Sequence, residues 1–229
     1  MSSLVLIATA AVAGILGVVA AIAARRRIDV LRATGETFAH RDLSRSIFSL
    51  VITIFIVVVT SVVVAHNVSL SLALVGLLIA VAGLAYLSLI DIDTHLLPWS
   101  DSLVIGAASC VFLVVDVISH SRGDVVVIML SSGATAWLVF RCIEWCSRGD
   151  LGGGDVILAS VLATMLGWFG AGAVIDAMVY SLVCAGVFAL ITIVRAGFRS
   201  QSVFAFGPFL VAGALIAMMS ADPLWVATH

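Results

Sequence analysis

Long apolar stretches, separated by short polar ones, dominate the chain. Runs of about twenty apolar residues, the length that crosses the hydrocarbon core of a bilayer, account for nearly the whole sequence. They lie at about 4–24, 47–65, 69–90, 102–119, 125–145, 156–175, 177–194 and 204–220. Lipid tolerates only structures that satisfy their backbone polar groups internally, and the alternation typical of a membrane barrel is missing. The pattern therefore predicts an all-α, polytopic membrane bundle of about eight transmembrane helices.

Two boundaries in this pattern are open. Gly167, Gly170 and Gly172 permit the turn between the sixth and seventh helices to lie several residues before position 175. The longest polar segment, 25–46, fits either a solvated basic loop or a short amphipathic helix on the membrane surface. In that helix the lipid-facing side chains would be those of Ile28, Val30, Leu31 and Phe38.

Composition supports one membrane domain over residues 1–229. Of the 229 residues, 63% are hydrophobic and only 10% are charged, which excludes an ordinary water-soluble domain. All eleven basic residues are arginine, and helix counting places every one except Arg122 on the same side. The positive-inside rule makes that side cytoplasmic. The first apolar run precedes its arginines, the reverse of a secretory signal, so we expect a retained helix with its N-terminus outside.

Carboxylates at the ends of two apolar runs are the candidate chemistry. Asp91 and Asp93 end the third run, and Asp155 begins the sixth after Gly152, Gly153 and Gly154. Helix counting puts both places at the cytoplasmic edge. Repulsion keeps two carboxyls a few ångströms apart from both ionising, so the pair holds one proton between them. Aspartic proteolysis uses such a shared proton. Glycines without Cβ atoms would let the backbone approach a facing segment closely.

The residues alone leave other interpretations open. Asp155 is also placed to cap the sixth helix, and either Ser100 or Asp101 is placed to cap the fourth. Asp91 or Asp93 could equally lie at an ordinary helix interface. Asp93, with Glu144 and Asp150, would otherwise form a negative surface that attracts a basic partner. Near the outer helix ends we expect Asp116 and Asp176 to make interfacial or interhelical hydrogen bonds.

Metal and cofactor chemistry have little support in the sequence. The four cysteines form no CxxC pair, and the five histidines are scattered. Cys142 and Cys146 share one helix face, where packing is the simpler interpretation. We therefore expect no metal and no cofactor.

Three stretches resemble the signatures of the type IV prepilin peptidases, which are GxGD intramembrane aspartyl peptidases. They read DIDTHLLP at 91–98, GGGD at 152–155 and FGP at 206–208. They occur in the family's order, with the expected number of helices between them, and the resemblance spans about 70–215.

This resemblance implies an aspartic endopeptidase of the bacterial inner membrane. By position, Asp91 and Asp155 are the catalytic pair, because Asp91 has the family's spacing to Pro98 and Asp93 points about 200° away on a helix. Pro98, Asp93 and the three glycines at 152–154 belong to the active-site loops. The implied substrate is a prepilin or pseudopilin whose basic cytoplasmic leader is cut at the membrane edge. Its partners are that substrate and the lipid bilayer, without nucleic acid, and the oligomeric state stays open.

Departures from the family pattern keep alternatives open. Trp99 follows the proline where the family has Asp or Asn, and Ile157 stands where lysine is usual. The short 25–46 segment lacks the paired CxxC motifs of the bifunctional members, so methyltransferase activity is not expected. The alternatives are an inactive pilus or secretion assembly factor, a small proton- or cation-coupled transporter, and a presenilin-like protease, which the proline loop after Asp91 disfavours.

Overall fold

The computed structural model describes residues 3–34, 46–68, 70–147, 151–196 and 206–221. Across these ranges the chain forms eight α-helices and no strand. The helices are α1 (Ser3–Ala33), α2 (Ile47–Val68), α3 (Leu72–Thr94), α4 (Trp99–Ser119), α5 (Gly123–Cys146), α6 (Gly153–Leu166), α7 (Ala171–Ala196) and α8 (Gly207–Ser220). The predicted all-α bundle is confirmed.

Six of the eight helices are long and apolar enough to cross a bilayer, which makes the protein a multi-pass membrane protein. The exceptions in the described chain are α6 and α8, with 14 residues each. Such helices are about 21 Å long, shorter than a hydrocarbon core of about 30 Å. Both begin on the face of the bundle where α3 ends and α4 begins, which we name the site face.

Helix α3 lies at the centre of the bundle and contacts α1, α2, α4 and α8. It is apolar on every side, as expected of a helix enclosed by others, and buries Leu77, Leu84 and Leu87 almost completely. Glycine permits the close approach of α4: a Cβ on Gly76 would lie 2.8 Å from the Ser109 carbonyl oxygen. The Ser109 hydroxyl donates a hydrogen bond of 2.6 Å to the Gly76 carbonyl oxygen.

The first helix is longer than the sequence predicted. It continues to Ala33 instead of ending near position 24, because arginine ends the apolar stretch but is itself a good helix former. Ile28 and Leu31 are buried against Leu89 and Ile90 of α3. The lipid-facing role predicted for Ile28 and Leu31 is therefore wrong, whereas Val30 is exposed. Phe38 lies outside the described residues.

The turn between α6 and α7 takes the earlier of the two predicted positions. α6 ends at Leu166 instead of near 175. A Cβ on Gly167 would lie 2.6 Å from the Met129 Cα, so only glycine lets this turn pack on α5. Gly170 has φ 115°, a conformation that side-chain-bearing residues rarely adopt.

Asp101 joins three helices and does not cap α4. The residue before α4 is Pro98, and no side chain caps the helix. The Asp101 carboxylate accepts hydrogen bonds of 3.1 and 3.2 Å from the Arg27 guanidinium of α1. It also accepts one of 2.7 Å from the Tyr86 hydroxyl of α3. The cap predicted for Asp101 is thus wrong, and Ser100 also caps no helix.

Asp116 makes the interhelical hydrogen bond that the sequence predicted. On the face opposite the site face, its Oδ1 accepts a hydrogen bond of 3.2 Å from the Ala73 N–H in the first turn of α3. The side chain is buried, and the bond satisfies one of the N–H groups that a helix start leaves without a partner. Asp176 is exposed near the start of α7.

Candidate functional site

Asp91 and Asp155 meet at Gly207, although they lie far apart in the sequence. Asp91 is in the last turn of α3, Asp155 is the third residue of α6, and Gly207 is the first residue of α8. A Cβ on Gly207 would lie 2.5 Å from Asp91 Oδ2 and 3.5 Å from Asp155 Oδ1. The two carboxyl oxygens are therefore at most about 6 Å apart, the sum of these distances.

Asp91 is enclosed, whereas Asp155 stays partly open. Asp91 is only 4% exposed, and its Oδ2 has no hydrogen-bond partner within the ranges that the structure describes. Its electrostatic neighbours are the Asp155 carboxyl and the Gly207 backbone amide. Asp155 is half-buried, and its Oδ2 points back over the turn, 3.8 Å from where a Gly152 Cβ would lie. The pair thus combines one enclosed acid with one that solvent or a ligand reaches.

The local chain explains how Asp155 is aimed. The residue that caps α6 is Gly152, so the alternative in which Asp155 caps the helix is wrong. A Cβ on Gly154 would collide with the carbonyl oxygen of Leu97, in the loop that follows Asp91 and ends at Pro98. Gly152 and Gly153 are exposed and meet no such obstacle. Of the three glycines, Gly154 is therefore the one that lets α6 pack against the α3–α4 loop.

Gly207 was not among the predicted site residues. The sequence drew attention to the segment 206–208 only through its resemblance. Pro208 is in the first turn of α8, where a missing N–H costs nothing. The start of α8 directs the positive end of the helix dipole towards the carboxyl pair. Helix counting places this segment on the same side of the membrane as both aspartates. That position was the sequence signal that could have identified Gly207.

Asp93, the other acid in the last turn of α3, is enclosed by the bundle. It is 0% exposed, so the negative surface predicted for it is wrong in its case. Glu144 does lie near the glycine turn: its Oε1 is 3.7 Å from where a Gly153 Cβ would lie, and it is paired with Arg141. Asp150 lies outside the described residues.

The reactive groups that the geometry brings together are two carboxyls, with a glycine backbone between them. In the described part of the chain, no group of three or more His, Cys, Asp or Glu side chains is placed to hold a metal ion. Two neighbouring carboxyls, one enclosed and one accessible, are suited to general acid–base work on a bound water.

Comparisons of this chain with protein-family models, with curated proteins and with solved structures found no match. The case for a function therefore depends on the geometry of Asp91, Asp155 and Gly207, together with the resemblance carried by the three sequence stretches that contain them.

Proposed function

We propose that this protein is an intramembrane aspartic endopeptidase that removes a short basic leader from a membrane-anchored, prepilin-like substrate. The observation that carries the proposal is the convergence of Asp91 and Asp155 on Gly207. Convergence of two remote carboxyls at a membrane-helix boundary is costly, because like charges repel and burial disfavours their ionised forms. Such a costly arrangement is expected where it serves a function.

In the proposed reaction the pair shares one proton. The ionised carboxyl takes a proton from water, the resulting hydroxide attacks the peptide carbonyl carbon, and the protonated carboxyl polarises the carbonyl oxygen. The C–N bond then breaks, and the leaving amine receives the proton that the water gave up. Asp155, the more accessible of the two, is the candidate base. The missing Cβ of Gly207 lets Asp91 lie close to the start of α8.

The position of the pair suits a substrate cut at the edge of a membrane. Asp91 ends a spanning helix, while Asp155 and Gly207 begin short helices on the same face. A bond between a water-exposed leader and an apolar helix would lie at that depth. The resemblance implies a bacterial inner membrane, and the arginine distribution favours a site face in the cytoplasm and an N-terminus outside.

The test is cleavage of a synthetic substrate by the full chain in liposomes. The substrate has a basic leader ending in glycine, followed by a Leu-Ala helix of about twenty residues. Asp91→Asn and Asp155→Asn should each lower kcat/KM by about 10²–10⁴-fold, since each removes one acid–base group. Asp176→Asn is the matched control, because it makes the same change on an exposed residue of α7, and it should cleave normally.

Wild-type rates in Asp155→Asn would refute the assignment of the pair. A wild-type protein that cleaves no leader but still co-purifies with its pilins would favour the assembly factor, for which Ile157 in place of lysine is the sequence feature.

A further inference from the structure

An apolar groove of about 600 Å³ runs between α2, α3 and α8 and is open to one side. Its floor includes the buried residues Ala85 and Leu89 of α3 and Val211 and Leu215 of α8. Its wall on α2 includes Phe48 and Phe55, which are 73% and 66% exposed. Exposed apolar side chains are ordinary on a membrane protein, but among the described residues this concave groove leaves faces of α2, α3 and α8 without a packing partner.

Within the part of the chain that the structure describes, the groove is closed at one end and open at the other. On the face opposite the site face, the Asn67 amide of α2 donates a hydrogen bond of 3.0 Å to the Met219 carbonyl oxygen of α8. There α2 is well packed, with Val64 and Ala65 fully buried. Towards the site face, Thr53 is the only buried residue of α2 before Val57. The first half of α2 therefore stands away from α8 on the side where the carboxyl pair lies.

The site-face end of the groove lies close to the carboxyl pair, although neither Asp91 nor Asp155 lines it. Ile92 and Pro208, which line the groove, are the chain neighbours of Asp91 and Gly207. Ser88 also lines it, one helical turn before Asp91, and its Oγ is buried without a hydrogen-bond partner among the described residues.

We infer that this groove is the docking site for one apolar transmembrane helix of the substrate, with the bond to be cut lying at the open end beside Asp91. The inference rests on the proposed function. A helix is the occupant because it satisfies its own backbone groups while presenting apolar side chains to the walls. The groove follows α8 from Pro208 to Met219, roughly 16 Å at about 1.5 Å per residue, which accommodates about three turns. The end of the docked helix, where backbone N–H groups lack partners, would lie beside the carboxyl pair.

The activity test blocks the groove and compares two substrates. Ala212→Trp places an indole in the groove wall, and Ala108→Trp makes the same change on an exposed face of α4 away from the groove. The substrates are the leader with its Leu-Ala helix and the same leader followed by about six polar residues. Ala212→Trp should lower the ratio of the helix-bearing rate to the short-peptide rate at least about tenfold, a loss of about 1.4 kcal/mol in binding. Ala108→Trp should leave the ratio unchanged. An equal loss on both substrates would overturn the inference, since the substitution would then act on the carboxyl pair itself.

A cross-linking test does not need catalysis. Ala212→Cys is combined with Asp155→Asn and with replacement of the native cysteines, and a substrate carries one cysteine in the middle of its helix. A disulfide between position 212 and the substrate helix supports docking. If that disulfide forms but the wild-type protein cleaves nothing, the proposed protease is refuted and the docking site is not. Cross-linking only to a second copy of this chain, or none at all beside normal wild-type cleavage, would overturn the groove assignment and leave the protease intact.

Discussion

Replacing Gly207 by alanine tests the geometry of the carboxyl pair most directly. The added Cβ would lie 2.5 Å from Asp91 Oδ2, whereas ordinary van der Waals contact begins at 3.4 Å. Asp91 must therefore withdraw by about 0.9 Å, the difference between these distances. The Asp155 oxygen, at 3.5 Å, is already at contact distance and need not move. The substitution thus displaces one member of the pair and leaves the other in place.

A misplacement of about 1 Å in a catalytic group costs about 100-fold in rate, which corresponds to about 2.7 kcal/mol of transition-state stabilisation. The free energy of unfolding should change by less than about 1 kcal/mol. The displaced atom is the far end of a side chain, and alanine favours the helical conformation over glycine. Activity and stability should therefore separate in this variant.

The assay measures kcat/KM on the leader–helix substrate and thermal unfolding of the same preparation. Gly186→Ala is the matched control, because a Cβ there would meet nothing within 4 Å on the surface of α7. It should retain full activity. A Gly207→Ala protein that unfolds at the wild-type temperature and cleaves at the wild-type rate would contradict the reasoning, because the pair would then not converge at this backbone position during catalysis.

Three further substitutions test how the helices are held together, with unfolding in detergent as the measurement. Gly154→Ala should lower the free energy of unfolding by about 1–3 kcal/mol, because the new methyl group meets a backbone carbonyl that cannot rotate away, whereas Gly172→Ala, in open space, should not. Asp116→Ala should cost about 1–2 kcal/mol by removing the acceptor at the start of α3, and Asp116→Asn, which keeps an acceptor, should recover most of it; equal losses would contradict the hydrogen bond. Tyr86→Phe should cost about 1 kcal/mol through its lost bond to Asp101, and no loss would mean that this bond is not formed in the membrane.

The sequence by itself determined the kind of molecule and where its chemistry would be sought. Apolar runs of spanning length require helices in lipid, so the bundle and most of its boundaries followed from the length and composition of those runs. The alternation of helices also put Asp91 and Asp155 on one side of the membrane, because each crossing reverses the direction of the chain. Where the pattern failed, the cause was local: arginines ended the apolar run but not the helix, which continues to Ala33. The glycine turn at 167–170 takes the earlier of the two positions that the sequence left open.

Only the tertiary structure decided which side chains meet. Whether Asp91 or Asp93 faces Asp155 depends on the rotation of α3 about its axis, which its packing against four neighbouring helices fixes and its nearly uniform apolar sequence does not. The structure also shows that Asp101, predicted as a cap, instead accepts hydrogen bonds from Arg27 and Tyr86. Gly207 shows the limit most clearly, since a glycine carries no chemistry in its side chain. Its importance comes from the space that its missing Cβ leaves between two acids, and that space exists only once three helices are packed together.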